Sequence, residues 1–149
     1  MQFDKENLMT FVTVKKILFI CLVSPLFLWA QPSEKSSLRA LIRGLEEPQG
    51  KVAVVLTDYL GESISEHWLF VNDNEVLLEI DKLEAGRYAL KFFHDANNNG
   101  TMDKNFFGIP TEMFGFSNDA KLRLGPPAIE DMLFVVDGDT EIVVNARKL

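Results

Sequence analysis

Apolar and polar residues alternate along much of the chain after residue 38, with the period of two that is typical of strands buried on one face. The clearest case is residues 87–94, where Tyr88, Leu90 and Phe92 alternate with smaller or charged neighbours. Residues 51–57 are instead almost continuously apolar and rich in β-branched side chains, which predicts a buried strand. The pattern therefore favours strands over helices.

Turn residues separate these segments at regular intervals. The predicted strands are residues 38–45, 51–57, 67–71, 75–80, 87–94, 131–136 and 140–146. Asp137-Gly138-Asp139 is typical of a hairpin turn, because an Asp-Gly pair accommodates positive backbone angles. This arrangement predicts an all-β fold, an immunoglobulin-like or transthyretin-like sandwich of about seven strands in two sheets.

Residues 104–127 follow no period and are rich in phenylalanine, glycine and proline. The segment is too apolar for a solvated loop. We therefore predict a long irregular loop whose phenylalanines pack onto the sandwich, namely Phe106, Phe107, Phe114 and Phe116.

The N-terminal segment has the order of a secretory signal. Lys15 and Lys16 precede an apolar run at 17–28, and Ala30 follows it as the small residue at the cut. At about a dozen residues, the run is shorter than the roughly twenty that span a bilayer as a helix. We predict a signal peptide at 1–30, a polar tether at 31–37 and a single β-sandwich domain at 38–149. A signal anchor and a buried core helix are the weaker alternatives.

The predicted mature chain would be acidic and free of cysteine. Cys21 lies within the signal, and removal of residues 1–30 leaves 12 Lys and Arg against 20 Asp and Glu, a net charge of −8. Phosphate backbones bind basic surfaces, so nucleic acid is excluded as a partner. We expect a periplasmic or secreted protein without a stable membrane anchor.

Residues 95–103 place oxygen-bearing side chains at every second position, which is the spacing of a calcium loop. Gly100 follows the third of them at the position where such loops turn sharply. The candidate metal ligands are Asp95, Asn97, Asn99, Thr101 through its carbonyl, and Asp103. The loop follows a strand, which argues against an EF-hand fold.

The twelfth loop position is Phe106, where calcium loops usually carry a bidentate glutamate. A Ca²⁺ site here must therefore borrow Glu112, Asp119 or Asn118, or bind weakly. The alternative is an asparagine-rich turn held by its own side-chain hydrogen bonds.

The central passage resembles the bacterial domain-of-unknown-function family 2141, whose members are small exported proteins. The resemblance is carried by His94-Asp95, Asn97, Asn99-Gly100, Asp103, Asn105-Phe106, Gly108-Ile109-Pro110, Gly115-Phe116-Ser117-Asn118, Gly125-Pro126-Pro127 and Glu130-Asp131. It implies export and a sandwich domain, and it implies no reaction.

No catalytic motif stands out in the sequence. It contains no Gly-x-Ser-x-Gly, no phosphate-binding glycine loop and no His/Cys zinc spacing. His94 and Asp95 are adjacent on a predicted strand, so their side chains point to opposite faces and cannot form a dyad. The carboxylates available to a hydrolase show no spacing that selects a pair: Asp95, Asp103, Glu112, Asp119 and Asp131.

We therefore expect a non-catalytic binding or structural module whose partner is a protein, a glycan or a small ligand. One alternative is a carboxylate-dependent hydrolase, which would need a cleft joining two of Asp95, Asp103, Glu112 and Asp119. Another is a small-ligand or carbohydrate carrier, which would need an apolar or aromatic groove, with Trp68 and Tyr59 exposed.

Overall fold

The computed structural model describes residues 35–123 and 125–149, which form two β-sheets around a shared core. The strands are β1 (Ser36–Arg43), β2 (Lys51–Asp58), β3 (Ser63–Phe70), β4 (Glu75–Leu83), β5 (Gly86–Asp95), β6 (Phe114–Phe116), β7 (Phe134–Val136) and β8 (Asp139–Asn145). A 3₁₀ turn spans Ser117–Asp119, and one short helix, α1, spans Ile129–Met132. The predicted signal peptide and most of the predicted tether lie outside the described residues. None of the described helices has the length and apolar character needed to cross a membrane.

The smaller sheet has the order β4-β1-β8, in which β1 is antiparallel to β4 and parallel to β8. The larger sheet has the order β3-β2-β5-β6, and β7 pairs with the other half of the same edge of β5. The predicted all-β, two-sheet sandwich is confirmed. The described residues form eight strands, of which β6 and β7 are only three residues long.

The core lies between the two sheets and follows the predicted alternation. Every second residue of β1, β2 and β5 points inward, including Leu38, Ala40, Ile42, Val52, Val54, Leu56, Leu90 and Phe92. Burying a side chain of this kind contributes about 1.5–3 kcal/mol relative to leaving it exposed. The period of two therefore reports directly on which face each strand buries.

Strand β3 begins earlier than its sequence predicts. The sequence predicts a strand only from residue 67, but residues 63–66, which include two serines, also pair with β2 in an antiparallel ladder. Since β3 is an edge strand, polar side chains in it remain in contact with solvent.

The predicted hairpin at 137–139 is wrong. Gly138 has the expected positive φ of 72°, but β7 pairs with β5 and β8 pairs with β1, so the turn carries the chain from one sheet to the other. The strand predicted at 131–136 begins only at Phe134, because Asp131 and Met132 belong to α1. An Asp-Gly pair specifies a backbone conformation, and it does not choose the partner of the strand that follows.

The prediction that four phenylalanines pack onto the sandwich holds for only two of them. Phe114 is buried and Phe116 packs in a small cluster with Ala89, whereas Phe106 is 97% exposed and Phe107 is 82% exposed. The exposed pair lies at the tip of a tight turn that the Asn105 carboxamide stabilises, because its Oδ1 accepts the backbone N–H groups of residues 107 and 109.

Candidate metal site

The candidate loop begins with a buried carboxylate at the end of β5. Asp95 is 1% exposed, and its Oδ1 accepts the backbone N–H of Asn99 at 3.0 Å. Its Oδ2 accepts the backbone N–H of Gly100 at 2.8 Å. Gly100 has a φ of 79°, so the chain reverses at the predicted position around this carboxylate.

Two asparagines and an aspartate complete the loop. The side-chain amides of Asn97 and Asn99 donate to the two carboxylate oxygens of Asp103, at 2.6 and 3.0 Å. The Asn97 Oδ1 accepts the backbone N–H of Asn99 at 3.0 Å, and the Asn99 Oδ1 accepts the N–H and the hydroxyl of Thr101 at 2.8 and 2.9 Å. All five predicted ligands thus belong to one hydrogen-bonded unit.

Glu112 joins this unit from outside the loop. Its Oε1 accepts the N–H of Ala96 at 3.2 Å and its Oε2 accepts the N–H of Asp103 at 3.0 Å, so the carboxylate ties the two arms of the loop together. Glu112 was one of three residues that the sequence offered to complete the site, and the structure brings it to the loop.

The other two offered residues serve a different contact. The Asn118 amide donates to two carbonyl oxygens around α1, and Asp119 accepts the N–H and the side-chain amide of Asn145 on β8. These bonds fasten the 3₁₀ turn to α1 and to β8.

The donor set has the chemistry that Ca²⁺ prefers, since hard cations take oxygen ligands from carboxylates, amides and backbone carbonyls. Asp95, Asn97, Asn99 and Asp103 would hold the ion, with Thr101 contributing its carbonyl and Glu112 closing the set. The amide nitrogens of both asparagines now face Asp103, so each amide would rotate to present its oxygen. The described residues contain no group of three or more His, Cys, Asp or Glu that could hold a metal, so a site here depends on the amide and carbonyl oxygens.

The turn before β2, at residues 46–50, contacts the start of the loop. The buried His94 ring hydrogen-bonds through Nε2 to the Gln49 carbonyl at 2.7 Å. A Cβ on Gly50 would overlap the carbonyl oxygen of Asp95 and lie 2.7 Å from the Cα of Ala96. Sequence reasoning identified the turn at 46–50, but it had no signal for this contact, which is made between segments far apart in the chain.

A small cavity of about 50 Å³ borders the loop. A cavity of this size has room for only a few water molecules. Of the five carboxylates considered for hydrolysis, Glu112 is the one that lines it, alongside Glu46, Glu47 and Lys148. The cavity is too small for a sugar or peptide substrate.

Tyr88 lies near the opposite end of β5 from the loop. Its hydroxyl donates to the backbone carbonyl of Glu84 at 2.8 Å. Burial raises the pKa of this hydroxyl, and the negative charges of Glu84 and Asp58 raise it further. The raised pKa of Tyr88 therefore results from packing within the sandwich, and Tyr88 is not part of the candidate site.

An apolar cleft of about 560 Å³ is lined by residues of β5 and β6 and of the segments at 102–110 and 122–126. Its lining is mainly Met102, Ile109, Pro110, Phe114, Phe116, Leu122, Pro126 and Leu149, with Lys91, Lys104 and Arg123 among them. We call this site the apolar cleft. Sequence analysis did not predict it, although the apolar composition of 104–127 was the signal that something must pack there.

The two aromatic residues named for a ligand-binding groove are both exposed. Tyr59 is 50% exposed and Trp68 is 46% exposed, and the Trp68 ring meets Phe93 edge-on at 6.0 Å between ring centroids. Neither residue lines the apolar cleft.

Comparison with models of protein families relates the chain to one family. Residues 41–143 match the model of the family described as "Uncharacterized protein conserved in bacteria (DUF2141)". The chain belongs to this family. Membership in the DUF2141 family confirms the resemblance found in the sequence and assigns no activity. Searches of curated proteins and of solved structures gave no significant match.

Proposed function

We propose that this protein is an exported, non-catalytic β-sandwich module, binding or structural in role, whose 95–103 loop binds Ca²⁺. The observation that carries the proposal is the buried Asp95 carboxylate, which folds the loop through Asn99 and Gly100 while Glu112 closes it from outside. A carboxylate from elsewhere in the chain replaces the glutamate that the twelfth position lacks.

Charge supports a cation in this place. The carboxylates of Asp95, Asp103 and Glu112 all accept hydrogen bonds from the same short loop, so the loop has acidic surroundings that attract cations, although the three carboxylates do not converge on one point. Calcium suits an irregular set of carboxylates and amides, whereas Mg²⁺ requires a small, near-ideal octahedral shell.

We expect a weak affinity for Ca²⁺, because both oxygens of the Glu112 carboxylate already accept backbone N–H groups. Extracellular calcium modules bind with dissociation constants of roughly 10⁻⁴ to 10⁻³ M. At ten times the dissociation constant, binding to the folded state alone would add about 1.4 kcal/mol to the free energy of unfolding.

The test is thermal unfolding in chelator, in about 10 mM Ca²⁺ and in about 10 mM Mg²⁺, with the protein expressed from its full sequence. We expect Tm to rise with Ca²⁺ by roughly 4–8 °C and much less with Mg²⁺. Asp95→Ala should abolish the rise, but it also removes the bonds that fold the loop. Asp103→Asn is the more specific test of the carboxylate's charge, because it keeps the shape of the side chain and removes the charge.

Asp119→Asn is the matched control, since that carboxylate contacts Asn145 on β8 rather than the loop. It should retain the full response to Ca²⁺. If Ca²⁺ leaves the Tm of the unmutated protein unchanged, the loop is a hydrogen-bonded turn and the calcium proposal fails.

The alternatives differ in what supports them. A carboxylate-dependent hydrolase needs a substrate-sized cleft with two of the named carboxylates, and the cavity beside Glu112 has about 50 Å³. A small-ligand carrier is favoured by a specific observation, the apolar cleft with its cationic side chains.

A further inference from the structure

We propose that the apolar cleft binds a small organic anion, a carboxylate, sulfonate or phosphate carried on an apolar body such as an acyl chain or an aromatic ring system. This proposal concerns a different site from the calcium loop and does not rest on calcium binding.

The shape of the cleft suits such a molecule. Its volume of about 560 Å³ falls within the range of roughly 300 to 1,000 Å³ in which small-molecule sites are found. The buried ring of Phe114 and the partly exposed ring of Phe116 line it from β6, while Ile109 lines it from the neighbouring loop. An apolar body placed there would cover the Phe116 ring and aliphatic side chains that are now partly exposed to water.

The charges lining the cleft select the head group. Among the residues that the structure describes, Lys91, Lys104 and Arg123 line it, and no acidic side chain does. The lining keeps a net positive charge when the α-carboxylate of Leu149 is included. The overall charge of the chain, by contrast, is −7. Such local complementarity favours an anion over a neutral or cationic ligand of the same shape.

The three cationic groups are available for a ligand. The ion pairs formed among residues 35–123 and 125–149 involve Arg39 and Arg147 rather than any of these three. Because they come from separate segments, the folded structure alone brings them to one cleft.

Lys91 is the best-anchored of the three cations. It lies on β5 directly opposite Phe116 of β6, so its backbone is held on both sides by the ladder. Lys104 is held beside Pro110 by an isolated bridge, whereas Arg123 approaches from the segment after the 3₁₀ turn. We therefore expect Lys91 to contribute most to recognition of the head group.

The experiment uses two fluorescent probes with similar apolar bodies and different charge. The anionic probe is 8-anilinonaphthalene-1-sulfonate, and the neutral probe is N-phenyl-1-naphthylamine. In titrations of the protein expressed from its full sequence, we expect one anionic probe per chain, bound at least about tenfold more tightly than the neutral probe. Sodium dodecanoate should displace it and dodecyltrimethylammonium should not.

Two variants of one residue separate charge from shape. Ile109 is partly exposed on the rim of the cleft, so Ile109→Glu and Ile109→Gln should both fold. The glutamate should weaken the anionic probe by about tenfold relative to the glutamine, because only the charge differs. Lys91→Gln should weaken it similarly, and Lys121→Gln, an exposed lysine of the same region that does not line the cleft, should not.

A further control excludes the exposed phenylalanine tip as the probe's site. The double variant Phe106→Ser/Phe107→Ser should leave the dissociation constant unchanged, since neither ring lines the cleft. Equal affinity for the two probes, loss of binding in the tip variant, or insensitivity to Lys91→Gln would each overturn the proposal. All titrations are run in chelator and repeated in Ca²⁺, so failure here is distinguishable from failure of the calcium proposal.

Discussion

At the scale of single residues, Gly50 carries a constraint that its own surroundings in the sequence do not reveal. Its φ is 77°, and a Cβ there would overlap the backbone of Asp95 and Ala96 at the start of the candidate loop. Backbone atoms cannot yield as a flexible side chain does. We therefore expect Gly50→Ala to lower the free energy of unfolding by about 3 kcal/mol, from the overlap and the positive φ together, as measured by urea denaturation.

Gly61→Ala is the matched control for that substitution. Gly61 has a φ of 87°, but no described atom lies within 4 Å of the position of its missing Cβ. Only the cost of the left-handed backbone remains, about 1–2 kcal/mol. Equal losses in the two variants would show that the contact between Gly50 and the loop does not matter.

At the scale of elements, the 3₁₀ turn after β6 is attached to β5 by one buried hydroxyl. The Ser117 Oγ accepts the backbone N–H of Leu90 at 3.0 Å and donates to the carbonyl oxygen of Met132 at 2.5 Å. Ser117→Ala would leave the Leu90 amide buried and unpaired, which costs about 1–3 kcal/mol. We expect a loss of that size in urea denaturation.

Ser63 provides the comparison for this element, because it is exposed at the start of β3. Ser63→Ala should change the free energy of unfolding by less than about 0.5 kcal/mol. If Ser117→Ala has an equally small effect, water or a rearranged backbone satisfies the Leu90 amide and the turn is held by packing alone.

At the scale of the whole molecule, export decides where the two proposed sites would operate. In a Gram-negative host, the full sequence should yield a protein in the periplasmic fraction whose mass corresponds to a chain starting at Gln31. Phe19→Asp puts a charge in the apolar run at 17–28 and should leave the uncut precursor in the cells, because a signal depends on that run.

Ser33→Asp adds the same charge beyond the predicted cut and should be exported normally. Mass spectrometry of both fractions distinguishes the outcomes. Full cleavage and export of the Phe19→Asp variant would contradict the predicted signal peptide.

The sequence by itself determined the features that arise from neighbouring residues. Alternation of period two identifies the strands and their buried faces, since successive side chains on a strand point to opposite sides. The reversal of the loop at Gly100 was also predictable, because the bonds that fold it join Asp95 to residues four and five positions later.

Only the tertiary structure decided the features that depend on distant segments. Three of these features are contacts between distant segments, each of which could have paired with another partner. They are the parallel pairing of β1 with β8, the crossing of the chain between sheets at Gly138 and the contact of Glu112 with the loop. The same holds for the apolar cleft and for the exposure of Phe106. Local spacing records a residue's preference for a conformation or a face, whereas the partner that it meets there is chosen by the packing of the whole chain.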